Sequence, residues 1–165
     1  SSGAKTFLGT VFKEELYGKT GEIRSKYIDK GLLVEEEAIS MYSYERGVKY
    51  EKNLSRFEND HISGEPDLYD QDKEFLGDIK CSWNHSTFPL TDINIPNKDY
   101  YWQLQAYMGL TDLNEGRLIY CLVDTPDELI HDEIRRVRAK LGVLELPEEL
   151  EDNIWDGLRL ILHIG

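Results

Sequence analysis

Gly64-Glu65-Pro66-Asp67, with Asp78-Ile79-Lys80 placed so that Asp78 follows Asp67 by eleven residues, constrains this chain more than any other stretch. Gly-x-Pro before an acid reads as a turn, because glycine supplies conformational freedom and proline fixes φ. The later triplet closes the run Phe75-Leu76-Gly77-Asp78-Ile79-Lys80-Cys81, whose apolar character is that of a strand. Side chains alternate across a strand, so Asp78 and Lys80 share one face and Ile79 takes the other. If the two runs pair as a hairpin, Asp67 arrives next to Asp78. Adjacent carboxylates repel and offer hard oxygen ligands, which suits a Mg²⁺-type cation. A lysine one pleat away can hold a water or a phosphate oxygen, and the set points to metal-assisted phosphodiester hydrolysis. Taken singly, each half is an ordinary turn or a solvated strand face in a chain with 31% charged residues. Charges inside so apolar a run are costly unless they face a cleft or a cation, which favours a site.

Composition narrows the partners. At 165 residues with 40% hydrophobic content, residues 1–165 read as one domain with a real core, Ser1-Ser2-Gly3 resembling a tag remnant. Cys81 and Cys121 are the only cysteines, too few for a four-cysteine zinc or iron–sulfur site, and a reducing cytoplasm is the simplest compartment. The apolar run Leu118 to Val123 falls far short of the roughly 20 residues of a membrane span, so no membrane partner is expected. The net charge of −13 sits badly with a polyanionic partner. Residues 1 to 30 nevertheless carry six basic side chains against four acidic ones, Arg24 and Lys26 being the candidates to touch nucleic acid. Arg135, Arg136, Arg138 and Lys140 form a second basic cluster, so the expectation is a locally basic groove on an acidic body.

Periodicity predicts a helix over 5–16, a second from Thr20, an interruption at Gly31, and a third helix from Leu32. The apolar face of the third is expected to be Leu32, Leu33, Ala38, Ile39 and Tyr42, with Glu35, Glu36 and Glu37 in its first turns. A hairpin follows, turning at Asp70 to Lys73, and then a fifteen-residue loop, 84–98, of the kind that often carries binding groups. Asp99 is expected to cap a helix from Tyr100 to Leu113, with Gln103 and Tyr107 one turn apart on a shared face. Leu118 to Val123 reads as a central buried strand; helices from Thr125 to Lys140 and Pro147 to Asp156 and a strand from Arg159 to Ile164 complete the chain. The fold class is therefore α/β, a central mixed sheet flanked by helices, as in a restriction-endonuclease-like core.

Four ordered signatures carry a family likeness. Gly31-Leu-Leu-Val-Glu35, Gly64-Glu-Pro-Asp67, Asp78-Ile-Lys80-Cys81-Ser82 and Gln103-x-x-x-Tyr107 resemble the motifs of the PD-(D/E)xK nuclease superfamily, in its lambda-exonuclease and RecB-like, phage-type branch. They span residues 31 to 107, with Asp78 where this branch more often has Glu and Ser82 where it has Pro. The resemblance implies one or two Mg²⁺ or Mn²⁺ ions held by Asp67, Asp78 and the Ile79 carbonyl, with Glu35 reaching a second ion directly or through water. Lys80 is implied to position and activate the attacking water, and Gln103 and Tyr107 to hold the strand or order Lys80. It further implies a DNA substrate, exonuclease action on duplex ends in phage recombination or replication, a single-strand annealing protein as partner, and a homo-oligomer. If the chain is phage-encoded, the compartment is the bacterial host cytoplasm. A catalytically weak nucleic-acid-binding or assembly module that keeps the fold is the alternative.

Overall fold

The structure, a computed structural model, describes residues 2–19, 25–91, 94–95 and 97–159. Helix α1 (Ser2–Tyr17) precedes a long helix α2 (Lys26–Arg46). A two-residue hairpin follows, β1 (Phe57–Glu58) with β2 (Ser63–Gly64), and then the pair β3 (Leu68–Asp70) and β4 (Phe75–Cys81). Helix α3 (Lys98–Thr111), strand β5 (Arg117–Cys121) and helices α4 (Asp127–Leu141) and α5 (Glu148–Leu158) complete the order. Strands β3, β4 and β5 form one mixed sheet in that spatial order, β3 antiparallel and β5 parallel to β4. The expected architecture of a mixed sheet with flanking helices is what forms.

Several expected elements differ. Gly31 does not interrupt a helix: α2 runs through it, capped by Ser25, whose side chain accepts the Tyr27 N–H. A mid-helix glycine costs only about 1 kcal/mol, which the burial of Val34, Ala38, Ile39 and Tyr42 outweighs. Ala38, Ile39 and Tyr42 are buried as expected, but Leu32 is 72% exposed and Leu33 is exposed too, with Lys30 and Val34 taking the inward positions at the helix start. Glu35 to Glu37 consequently lie mid-helix, where the dipole argument does not reach them. Helix α3 starts two residues earlier than expected, because Asn97 rather than Asp99 supplies the cap. The long loop contains a 3₁₀ turn, His85–Thr87. The central strand of the sheet is β4, while β5 stands at its edge among the described residues. The expected cap at Thr20 and the last strand beyond Arg159 lie outside the described residues; Arg159 itself closes α5.

Alternation along β4 sorts its two faces. Phe75 and Ile79 join Val34, Ala38 and Ile39 of α2 in one core, and Leu76 packs with Leu104 and Tyr107 of α3 in another. A third cluster gathers Trp83 with Leu129, Ile130 and Ile134 of α4, so Trp83 is a core residue. Gly77 is closely packed: a Cβ there would stand 2.9 Å from Ile119 Cδ1, so a larger residue would have to shift that methyl.

Candidate active site

The β3–β4 ladder ends at Leu68↔Gly77. Asp67, one residue before β3, therefore faces Asp78 and Ile79 across the place where the ladder stops, and its Oδ2 accepts the Ile79 N–H at 2.6 Å. A carboxylate thus replaces the missing strand partner. Since a residue's N–H and C=O point to the same strand edge, the Ile79 carbonyl faces this opening as well. α2 closes one wall with Glu35 and α3 the other with Gln103 and Tyr107. Glu35, Asp67, Asp78, Ile79, Lys80, Gln103 and Tyr107 all line one cavity of about 680 Å³. Glu36 and Glu37, beside Glu35 in sequence, are exposed helix surface.

The electrostatics of the cavity are strained by burial. Asp78 is only 2% exposed. Lys80 Nζ stands 2.6 Å from its Oδ2 as an ion pair, yet that oxygen has no partner in hydrogen-bond geometry. Burial, then the Asp78 charge, push the Asp67 carboxyl up to about 6 against the pull of the Ile79 N–H. Burial also raises Asp78, with Lys80 opposing. For Lys80, burial favours the neutral amine, but the charge and contact of Asp78 outweigh it and hold the pKa above its ordinary value. Lys80 is therefore an ammonium at neutral pH, with the Tyr100 ring centroid 4.9 Å from Nζ. Gln103 Nε2 donates to Tyr107 Oη at 2.9 Å, coupling two expected positions directly.

Two of the signatures interlock through one glycine. A Cβ on Gly64 would lie 2.5 Å from Cε1 of Tyr107, so the turn before Asp67 must carry glycine for the α3 tyrosine to close over it. Spacing alone could not show this contact, because it joins residues 43 positions apart.

Among the described residues no three His, Cys, Asp or Glu side chains stand close enough to hold a metal ion. Glu35 is drawn away, its Oε2 bonded to Lys52 Nζ at 2.9 Å. The Asp67–Asp78 pair still fits a hard divalent cation: both are oxygen donors, one oxygen is buried without a hydrogen bond, and a cation relieves their repulsion. The thiols offer nothing comparable, since burial pushes Cys81 up to about 12 and Cys121 to about 11.

The basic residues are placed differently from the expected groove. Arg24 lies outside the described residues. Lys26 is not on the cavity wall; its Nζ bonds Glu133 Oε1 at 2.9 Å and lies 4.6 Å from the Trp83 ring centroid. Arg135 pairs with Asp132, Arg136 with Glu133, and Arg138 with Glu151. Acids on α4 and α5, one turn or one helix away, thus pair with the three arginines of the cluster that looked basic in sequence. Sequence reasoning missed Tyr100, Lys52 and Lys30. Tyr100 could have been found as the aromatic one turn before Gln103; Lys52 gives no signal, being brought in by a bridge to Leu68.

No family model and no curated protein matches the chain. Among solved structures it is similar to a phage-related exonuclease from Haemophilus somnus 129PT, with a TM-score of 0.70 at 32% identity over 78% of this chain. The fold is that of the phage-type exonucleases. The chain spans 60% of that relative's length. An alkaline exonuclease from Laribacter hongkongensis matches with a TM-score of 0.59 at 22% identity, over 93% of this chain and 82% of that one. The same enzyme in complex with dAMP gives 0.54 at 23% identity, over 91% and 80%. The resemblance to the phage-type exonuclease branch stands.

Proposed function

We propose that this chain with the phage-exonuclease fold is a Mg²⁺- or Mn²⁺-dependent deoxyribonuclease, an exonuclease acting on duplex DNA ends. The observation that carries the reading is the convergence of Asp67, Asp78 and Lys80, with Glu35, in one cavity. Asp67, Asp78 and the Ile79 carbonyl would hold the cation, with Glu35 as an outer ligand. When bound, the cation supplies Lewis-acid charge to a phosphoryl oxygen and lowers the pKa of a coordinated water. Lys80, an ammonium, donates to the attacking water and offsets charge developing on the phosphate, where buried donors act most strongly. The Gln103–Tyr107 pair fixes the α3 wall and orients the strand. The ends feed a single-strand annealing protein in phage recombination, and the apolar Phe7, Leu8 and Phe12 left exposed on α1 support an assembly partner.

The test compares linear duplex, circular duplex and single-stranded DNA with Mg²⁺, Mn²⁺ or EDTA. Cation-dependent loss of the linear duplex, abolished in Lys80→Ala while DNA binding survives, is the expected result. One observation favours the second reading, a catalytically weak binding module: the three arginines of α4 are paired with acids of this chain. No cleavage of any substrate with either cation, alongside measurable DNA binding, selects that reading.

A further inference from the structure

Lys52 lies fifteen residues before Asp67 and belongs to none of the signatures. The structure nevertheless ties it to the same turn. Lys52 bridges Leu68, the Asn53 N–H donates to the Asp67 carbonyl at 2.8 Å, and Asn53 Nδ2 donates to the Pro66 carbonyl at 2.9 Å. The strap carrying Lys52 is thereby registered against Asp67 by two backbone links and an amide. Its ammonium then reaches back to α2 and bonds Glu35. Glu35 lines the cavity and Lys52 does not; the lysine side chain is 42% exposed and that of Glu35 only 14%, so the ammonium holds the acid from its more exposed side. A partly exposed ion pair of this kind is weak enough to be exchanged for a divalent ion.

We propose that Lys52 is a positioning residue that competes with the divalent cation for Glu35, serving as a tethered counter-ion of the cation-free cavity. This rests on the nuclease reading above and adds a residue to it. While Lys52 holds Glu35, the cavity offers Asp67, which accepts the Ile79 N–H, and Asp78, which is paired with Lys80; a cation bound there would compete for Glu35 and free the Lys52 ammonium to meet the DNA backbone. The fixed strap makes the exchange local, because Glu35 and Lys52 need only side-chain rotation while Asp67 stays in place. Taking the positive charge away should tighten cation binding, as one repulsive neighbour and one competitor for Glu35 vanish together.

The experiment is Mn²⁺ binding to the full chain, free of other metal, followed by electron paramagnetic resonance of the unbound ion. Wild type is compared with Lys52→Met, Lys52→Arg, Glu35→Gln and the Glu35→Gln/Lys52→Met double variant. Lys52→Met is expected to bind Mn²⁺ about threefold to tenfold more tightly at low salt, an advantage that shrinks as salt rises. Lys52→Arg, which keeps the charge, should stay near wild type, and in the Glu35→Gln background the gain from Lys52→Met should fall to less than half. Unchanged or weaker binding in Lys52→Met overturns the proposal, as does an equal gain with Gln at 35, which would mean general charge repulsion and not competition. A wild type that takes up no Mn²⁺ overturns the nuclease reading along with it, whereas a wild type that binds beside an unimproved Lys52→Met defeats this inference alone.

Discussion

Lys80 and Lys30 both lie against the three-stranded sheet, one projecting from β4 toward α3 and the other reaching in from α2 on the opposite side. Both lose most of their water, and burial presses each toward the neutral amine. Around Lys80 a carboxylate 2.6 Å away reverses that pressure. Lys30, 0% exposed, meets only dipoles: its Nζ donates to the Val123 carbonyl at 2.7 Å and the Trp83 carbonyl at 3.1 Å. Distant acids compensate incompletely and its pKa falls to about 8. The difference teaches what each region is built for. A full charge kept beside an under-bonded carboxylate is poised to act on something that enters. An ammonium whose pKa is lowered and which is held by carbonyls beyond the ends of two parallel strands is committed to holding them together.

The comparison is broken most severely at Lys80. Lys80→Ala should lower cation-dependent DNA hydrolysis about a thousandfold in the molecules that stay folded, in line with loss of a preorganised donor, although it also leaves Asp78 buried without its ion-pair partner. Lys30→Met should do the reverse, retaining much of the activity of the molecules that stay folded while weakening the fold. The pH dependence sharpens this. Because the folded pKa of Lys30 lies below its unfolded 10.5, folding carries a charge-burial penalty at neutral pH that is relieved as pH rises through about 8. Wild-type stability should therefore gain about 3 kcal/mol from this group between pH 8 and 10.5, a gain absent in Lys30→Met by denaturant titration.

Asp67 provides the acidic counterpart. Its folded pKa of about 6 exceeds the unfolded 3.8, so its contribution to stability is complete below pH 3.8 and lost as pH rises through 6. Cation-free Asp67→Asn should be more stable than wild type by about 2 kcal/mol at pH 7 and equal to it near pH 4. Added Mn²⁺ should narrow the difference at pH 7, since a bound cation favours the ionised pair. The smallest effect is expected at Gly64, where the new methyl of Gly64→Ala must displace the Tyr107 ring. Thermal unfolding should show a loss of about 1–2 kcal/mol, restored in part by Tyr107→Leu, which clears the space.

How much of this was legible beforehand follows the range of the interactions. The hairpin, the helix carrying Gln103 and Tyr107, and the pairing of Asp67 with Asp78 rest on periodicity, turn chemistry and a short register, all local. Ala38, Ile39 and Tyr42 were legible as the buried face of α2, but the exposure of Leu32 and Leu33 was not: they are as apolar as Val34, and only the sheet packed against the helix selects between them. The same holds for the charges. Arg135 to Lys140 look like a basic patch when counted along the chain, but α4 and α5 bring acids to three of them.

The sequence by itself determined the chemistry offered, two acids and a lysine on strands that must lie side by side, because a pleat of period two and an eleven-residue return leave little other arrangement. Tertiary structure decided how those groups are tuned and who else joins them. It sank Asp78 out of water, placed Glu35 in the grasp of Lys52, closed Tyr107 over Gly64 and buried Lys30 among carbonyls. Desolvation and long-range Coulomb terms depend on what packs around a group in space, and that is information no window along the chain contains.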